Sequence, residues 1–152
     1  MNLKILCPGR SRQEFIKKGI NEYMKRLNSY AKIELIEIQD IKLTSTNSIE
    51  IVKEKEAKII EKHLDNRSFL VVLDLNGKQM SSENFAAFLK KSNKNITFLV
   101  GGVYGIAENL LERADLRLSF SKMTFTHQII RLILLEQIYR AFTIINGKKY
   151  HY

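Results

Sequence analysis

The segment LRLSFSKMTFTHQIIRLILLEQIYRAF, Leu116 to Phe142, decides the class of fold. Its first residues alternate apolar and polar side chains, the period-two pattern of a strand that stops near Phe120. From about Thr126 onward apolar residues recur at helical spacing. Between the two lies a knuckle, Ser119 to Phe125, made of hydroxyls, one lysine and large apolar side chains. A strand that runs through a short connection into a long helix is one half of a βαβ unit, so the fold turns on whether the rest of the chain repeats it.

Working outward, it does. LKILCPG reads as a first strand ended by Pro8 and Gly9. Ser11 with Glu14 predicts a capping box, followed by a helix to about Leu27 that turns Phe15, Ile16, Ile20, Tyr23, Met24 and Leu27 inward. KIELIEIQ alternates as a half-exposed second strand. After a polar loop, Ser45 to Ser48, IEIVKEKEAKIIEKHL predicts a charged amphipathic helix with Ile51, Val52, Ile59, Ile60 and Leu64 inward and His63 solvated. FLVVLDL is continuously apolar, as a strand buried on both faces should be. Asn76 and Gly77 are expected to turn the chain, and Ser81 or Ser82 to cap the next helix. ITFLV, the glycine turn GGVYG and a short helix from Ala107 to Arg113 then lead back to Leu116. The expectation is α/β: a mostly parallel sheet with helices on both faces, in one domain spanning residues 1–152.

Composition narrows the function classes. Hydrophobic content of 45% and charged content of 27% are those of a soluble globular chain. The longest apolar stretch, Ile129 to Ile145, is interrupted by Arg131, Glu136 and Arg140, which a membrane span would bury at high cost. The start of the chain lacks the apolar run of a secretory signal, and Cys7, the single cysteine, has no partner for an internal disulfide. A cytoplasmic location is expected. A net charge of +9 favours a polyanionic partner, since cations that neutralise phosphates release condensed counterions.

In open parallel sheets ligands bind at the carboxyl ends of the strands. Three such ends carry unusual residues: LDLNGK, LVGGVYG and LSFSKMTFTH. The glycines Gly101, Gly102 and Gly105 permit close approach of a ligand, but their spacing is neither the dinucleotide fingerprint nor a P-loop, which disfavours a Rossmann oxidoreductase. The knuckle offers hydroxyls, Lys122 and successive backbone amides leading into a helix. Such a loop suits an adenine ring, whose edge needs a donor and an acceptor at fixed positions, with Met123 and Phe125 against its faces. Taken alone, it reads more readily as a capped turn over core residues than as a ligand site.

His63, His127 and His151 have no companion at ligand spacing, so no metal site is expected. The last helix carries Ile129, Ile130, Leu132 to Leu135, Ile138 and Phe142 over too wide an arc for one sheet, which points to burial on several sides, in a subunit interface or within the fold itself. Glu136 and Arg140 are spaced to pair.

The ordered set LDLNGK, LVGGVYG, LSFSKMTFTHQIIRLILLEQIYRAF and the closing YH resembles the bacterial ribosomal RNA large-subunit methyltransferase H family, small members of the SPOUT class. The resemblance covers essentially the whole chain. It implies a C-terminal trefoil knot, a homodimer, and S-adenosylmethionine as cofactor, held at Leu73, Gly101 and Phe120, Ser121, Lys122, Met123, Thr124 and Phe125, with Gly105 shaping the same pocket. It also implies methylation of N3 of a pseudouridine in helix 69 of 23S rRNA on the assembled ribosome, without a metal. From their places in the matching motifs, Tyr150 and His151 are expected to line the target pocket, with His127 and Arg131 near the knuckle and Arg140 holding charge or phosphate. Arg10, Arg12, Lys17, Lys18, Lys148 and Lys149 are expected to contribute to ribosome binding. The sequence departs from the family pattern at Thr126, where proline is usual, and at Tyr152, where a basic residue is common. The alternative is a non-catalytic ribosome- or RNA-binding module with a degenerate cofactor pocket.

Overall fold

The computed structural model describes all residues, Met1–Tyr152. Five strands and five helices alternate along the chain: β1 (Asn2–Pro8), α1 (Glu14–Leu27), β2 (Lys32–Ile38), α2 (Ile49–Glu61), β3 (Phe69–Gln79), α3 (Ser82–Lys91), β4 (Ile96–Leu99), α4 (Glu108–Arg113), β5 (Leu116–Ser119) and α5 (His127–Ile145). The strands form one sheet in the order β2-β1-β4-β3-β5, and every pairing is parallel. Side chains alternate across this sheet. Leu3, Ile5, Cys7, Val71, Phe98 and Leu118 enter a core shared with α1, α3 and α5. Leu6, Leu70, Val72 and Leu99 enter a second core under α2 and α4. Each fully buried Leu, Ile or Val contributes about 1.5–3 kcal/mol relative to exposure, so covering both faces is what holds the parallel sheet together. The expected class and layering are therefore observed.

Local departures from expectation have local causes. Ser11 does not cap α1; it is buried, and its amide and hydroxyl both donate to Glu37, so the helix begins later, with Gln13 at the cap. Phe15 is exposed rather than inward. The chain does not turn at Asn76 and Gly77. Strand β3 instead continues to Gln79 through an irregularity in which Leu118 pairs with both Leu73 and Lys78, so residues 74–77 bow out of the ladder. Helix α2 ends at Glu61, and half-buried His63 lies in the turn beyond, its carbonyl accepting from Lys4 Nζ at 3.2 Å. Ser48 and Ser81 cap α2 and α3 as their spacing predicts.

Helix α5 ends in a tight reversal. The Gly147 amide donates to Ile144 and the Lys148 amide to Thr143, with Gly147 at φ +62. This paired closure needs a left-handed residue, which glycine adopts without a side-chain penalty. It turns the last residues back along the helix they follow. No helix is long and apolar enough to cross a membrane.

Candidate functional site: a cleft at the carboxyl ends of three strands

The three sequence segments converge. Leu73, Asp74 and Leu75 from β3, Val100, Gly101 and Gly102 beyond β4, and Leu118 to Ser121 with Met123, Thr124 and Phe125, at and beyond the end of β5, line one cleft, closed on the helix side by His127 and Ile130. Its space is about 640 Å³ including the open mouth. The bow in β3 creates one wall, because residues 74–77 leave the ladder there. Arg117 Nε donates to Asp74 at 2.8 Å and fixes that wall to β5.

The knuckle is held by its own hydroxyls. Ser119 Oγ donates to the Ser121 carbonyl at 2.9 Å, and the Met123 amide donates to Ser121 Oγ at 3.0 Å. The amides of Thr124 and Phe125 donate to no protein acceptor, which leaves them free for a ligand edge. Met123 and Phe125 are exposed at the mouth rather than packed as core. Thr126 caps α5, its hydroxyl accepting from the Ile129 amide at 3.2 Å. Its φ of −62° is the value a proline ring would impose, so the departure at this position preserves the backbone geometry.

Of the nine residues expected to contact a cofactor, Leu73, Gly101, Phe120, Ser121, Met123, Thr124 and Phe125 line the cleft. Lys122 and Gly105 do not. Lys122 is exposed on the outside of the knuckle, and Gly105 closes a small turn by bridging to Gly102. Asp74, Leu75, Val100, Gly102, Leu118, Ser119, His127 and Ile130 complete the lining. Asp74 and Leu75 are not singled out as contacts by the sequence because the bow in β3 that exposes them carries no composition signal beyond Gly77.

The five residues expected in catalysis separate into three places. His127 lines the cleft. Arg131, one turn on, is wholly buried, and its guanidinium donates to the carbonyls of Pro8, Gly9 and His127, to Ser11 Oγ and to Glu37. With every nitrogen engaged by the protein, it ties α5 to the end of β1 and does not face the cleft. Arg140, Tyr150 and His151 form a third group. Arg140 Nη2 donates to Glu136 at 2.8 Å, its guanidinium lies 4.8 Å over the Tyr150 ring, and its Nη1 is 3.3 Å from His151 Nδ1. Tyr150 OH donates to Glu136 at 3.1 Å and meets Tyr23 OH at 3.3 Å; His151 Nε2 meets Glu83 at 2.7 Å. Burial and those two partners push the Tyr150 phenol upward, so it stays protonated. His127 and Arg140 are 13 positions apart on one helix, roughly 20 Å along its axis, so one chain does not bring its own tail to its own cleft.

The amide-rimmed, glycine-walled cleft lies at the strands' carboxyl ends, where open parallel α/β sheets bind small ligands. A family model described as "Predicted SPOUT methyltransferase" matches residues 1–151, and the chain belongs to that family. It is 44% identical to the "Ribosomal RNA large subunit methyltransferase H" of Clostridium botulinum (strain Kyoto / Type A2) over 99% of each chain. It is 42% identical to the protein of the same name from Clostridium kluyveri, again over 99% of each. Among solved structures, a probable methylase family protein from Haemophilus influenzae Rd KW20 shares the fold at TM-score 0.58 and 10% identity, over 99% of this chain and 70% of that one.

Proposed function

We propose that this protein is an S-adenosylmethionine-dependent methyltransferase of large-subunit ribosomal RNA, acting on N3 of a pseudouridine in helix 69 of 23S rRNA within the assembled ribosome. The observation that carries the reading is the cleft itself. Seven of the residues expected to hold the cofactor line it, and its rim presents unpartnered amides beside exposed Met123 and Phe125. Such a set fits an adenine edge and the faces of its ring. An open lined cleft also speaks against a binding module whose pocket has degenerated. The relatives' names supply the rRNA, and a net charge of +9 suits it.

When bound, the cofactor supplies a methyl group on a sulfonium sulfur that departs as a neutral thioether. The protein's task is then to hold the target base in line and to let N3 give up its proton to solvent while its lone pair forms the new bond. Leu73, Gly101 and the knuckle would hold the adenosine part, and His127, which lines the same cleft, would stand beside the target base. Tyr150, held as a phenol, acts as a hydrogen-bonding and stacking surface for RNA rather than as a base. Arg140 supplies charge for phosphate, and Arg131 keeps α5 in register with β1.

A homodimer belongs to the same reading. On the outer face of α5, Ile129 is exposed and Ile133 is only partly covered, and a second copy would both cover that face and bring its tail to the cleft. The trefoil knot belongs to it as well. What supports it is the strand order β4-β3-β5, with the segment after β5 turning back across the ends of β3 and β4 to line the cleft. A cytoplasmic location follows from the ribosomal substrate.

The test is to incubate the protein with methyl-labelled cofactor and either free 23S rRNA or whole ribosomes, then map the modified nucleotide. Label in helix 69, and only from ribosomes, is the expected result. No cofactor binding by calorimetry, or label elsewhere, overturns the assignment.

A further inference from the structure

Gln128 is the second residue of α5, and its side-chain amide is fixed from two directions. Its Oε1 accepts from the Arg12 amide at 3.2 Å, and its Nε2 donates to the Arg10 carbonyl at 2.8 Å. Both partners are main-chain groups with one possible role each, so the orientation of the amide is not free. The remaining Nε2 hydrogen has one neighbour, His127 Nε2, at 3.2 Å. A donor on Gln128 requires an acceptor on the ring, so His127 Nε2 carries the lone pair and Nδ1 carries the hydrogen. His127 Nδ1 has no protein partner, yet no buried side-chain nitrogen lacks one, so Nδ1 reaches solvent, on a residue that lines the cleft.

We propose that Gln128 is a positioning residue that locks His127 as its Nδ1–H tautomer, so that His127 acts as a hydrogen-bond donor in the cleft and not as the base. This rests on the reading of the cleft as the place where a uracil-type N3 is methylated. That nitrogen is an imide flanked by two carbonyls. As its proton leaves, negative charge spreads onto the flanking oxygens, and a preorganised N–H donor at one of them stabilises the developing anion. Base catalysis by His127 would need a free lone pair facing the cleft, and the lone pair instead faces Gln128.

The surroundings keep the ring neutral, as a donor held in one tautomer requires. Burial lowers its proton affinity first, then the charges of Arg131 on the same helix and Arg12 before α1, while Asp40 beyond β2 acts in the opposite direction. Asp74, across the cleft on β3, is already paired with Arg117.

Two arms test the proposal. In the free protein, ¹⁵N NMR of the histidine rings reads the tautomer directly. The expected spectrum has protonated Nδ1 and unprotonated Nε2 at His127, and Gln128→Glu, which places an acceptor beside Nε2, moves the hydrogen to Nε2 and raises the titration midpoint. A wild-type Nε2–H form, or no change in Gln128→Glu, overturns the assignment. In the methylation assay, His127→Asn keeps an amide hydrogen near the position of Nδ1, whereas His127→Phe keeps none. The expected result is a turnover loss of about 10²-fold for Phe, the size typical of one lost transition-state donor, and a clearly smaller loss for Asn, both with unchanged cofactor affinity. Equal loss in the two variants overturns the donor role. The NMR arm uses no substrate, so failure of the rRNA reading and failure of the tautomer assignment are told apart.

Discussion

The guanidinium of Arg131 on α5 donates to the carbonyl of Pro8 at the end of β1 over 3.2 Å, with none of the residue's surface exposed. The same group satisfies Gly9, Ser11 and the carboxylate of Glu37, so one side chain closes the corner where the first strand, the second strand and the last helix meet. Arg131→Ala leaves buried carbonyls and Ser11 without a donor. Each buried polar group left unpaired costs about 1–3 kcal/mol, and a drop of at least that size is expected in urea unfolding. Arg131→Lys should recover only part of it, because a single ammonium cannot reach acceptors spread over the planar fork. Full stability in either variant would show that the corner is held by something else.

Gly77 lies where β3 returns to β5 after its bow. A Cβ there would stand 2.7 Å from the main-chain carbon and oxygen of Arg117. Backbone cannot move aside as a flexible side chain can, so Gly77→Ala should destabilise by about 1–3 kcal/mol, as overpacking usually does. It should also weaken cofactor binding by displacing the wall formed by Asp74 and Leu75. Calorimetric unfolding with a cofactor titration separates the effects, and a variant with native melting and native affinity would contradict the close approach.

The alternation of strand and helix, the doubly buried β3 and the hydroxyl caps are legible in the sequence because each depends on neighbours within one turn or one strand. The cleft is legible as three motifs, since strand ends with glycine and hydroxyl residues are local signals too. Ser11 and Arg131 mislead for a common reason. Each has the local pattern of one role, a cap and a cleft cation, but an acceptor more than twenty positions away, Glu37, takes them for another. The bow of β3 is hidden similarly: Asn-Gly is the signature of a turn, and only the pairing with β5 keeps it in the strand.

Glu83 opens α3 with its carboxylate held down to about 2, first by its own main-chain amide and then by His151 and Ser81. A depressed carboxylate adds stability that is present above its unfolded range, about 4.3, and is lost as pH falls toward the folded value. The acid limb of the stability curve between those limits should therefore flatten in Glu83→Gln, and the docking of the tail should loosen over the same window in the parent. Side-chain NMR of His151 reads the second effect; a tail that stays docked throughout would remove Glu83 as its anchor.

Lys17 and Lys18 are exposed on α1 and lie outside the cleft. If they meet phosphate, replacing both with alanine should lower the slope of log affinity against log salt by about 0.7–0.9 for each phosphate no longer neutralised, with methyl transfer at saturating ribosome unchanged. Arg12 is a poorer probe, since it also faces Asp40 at 3.6 Å. An unchanged slope for the lysine pair would move the RNA face elsewhere.

The separation of His151 from the cleft within one chain makes a prediction that needs two inactive proteins. His151→Ala keeps the cleft but loses the tail; its turnover should fall about 10²-fold, the lower range for a general acid–base or donor group, with cofactor affinity unchanged. Thr124→Trp fills the exposed rim of the cleft but keeps the tail. If each cleft is completed by the partner's tail, mixing the two after unfolding and refolding together pairs a sound cleft with a sound tail in half of the random dimers, at one of their two sites. About a quarter of the parent activity should then return. If the tail serves its own chain, no mixture exceeds the sum of its parts, because no subunit carries both features. The measurement is methyl incorporation into ribosomes as a function of mixing ratio, with a maximum expected at equal amounts.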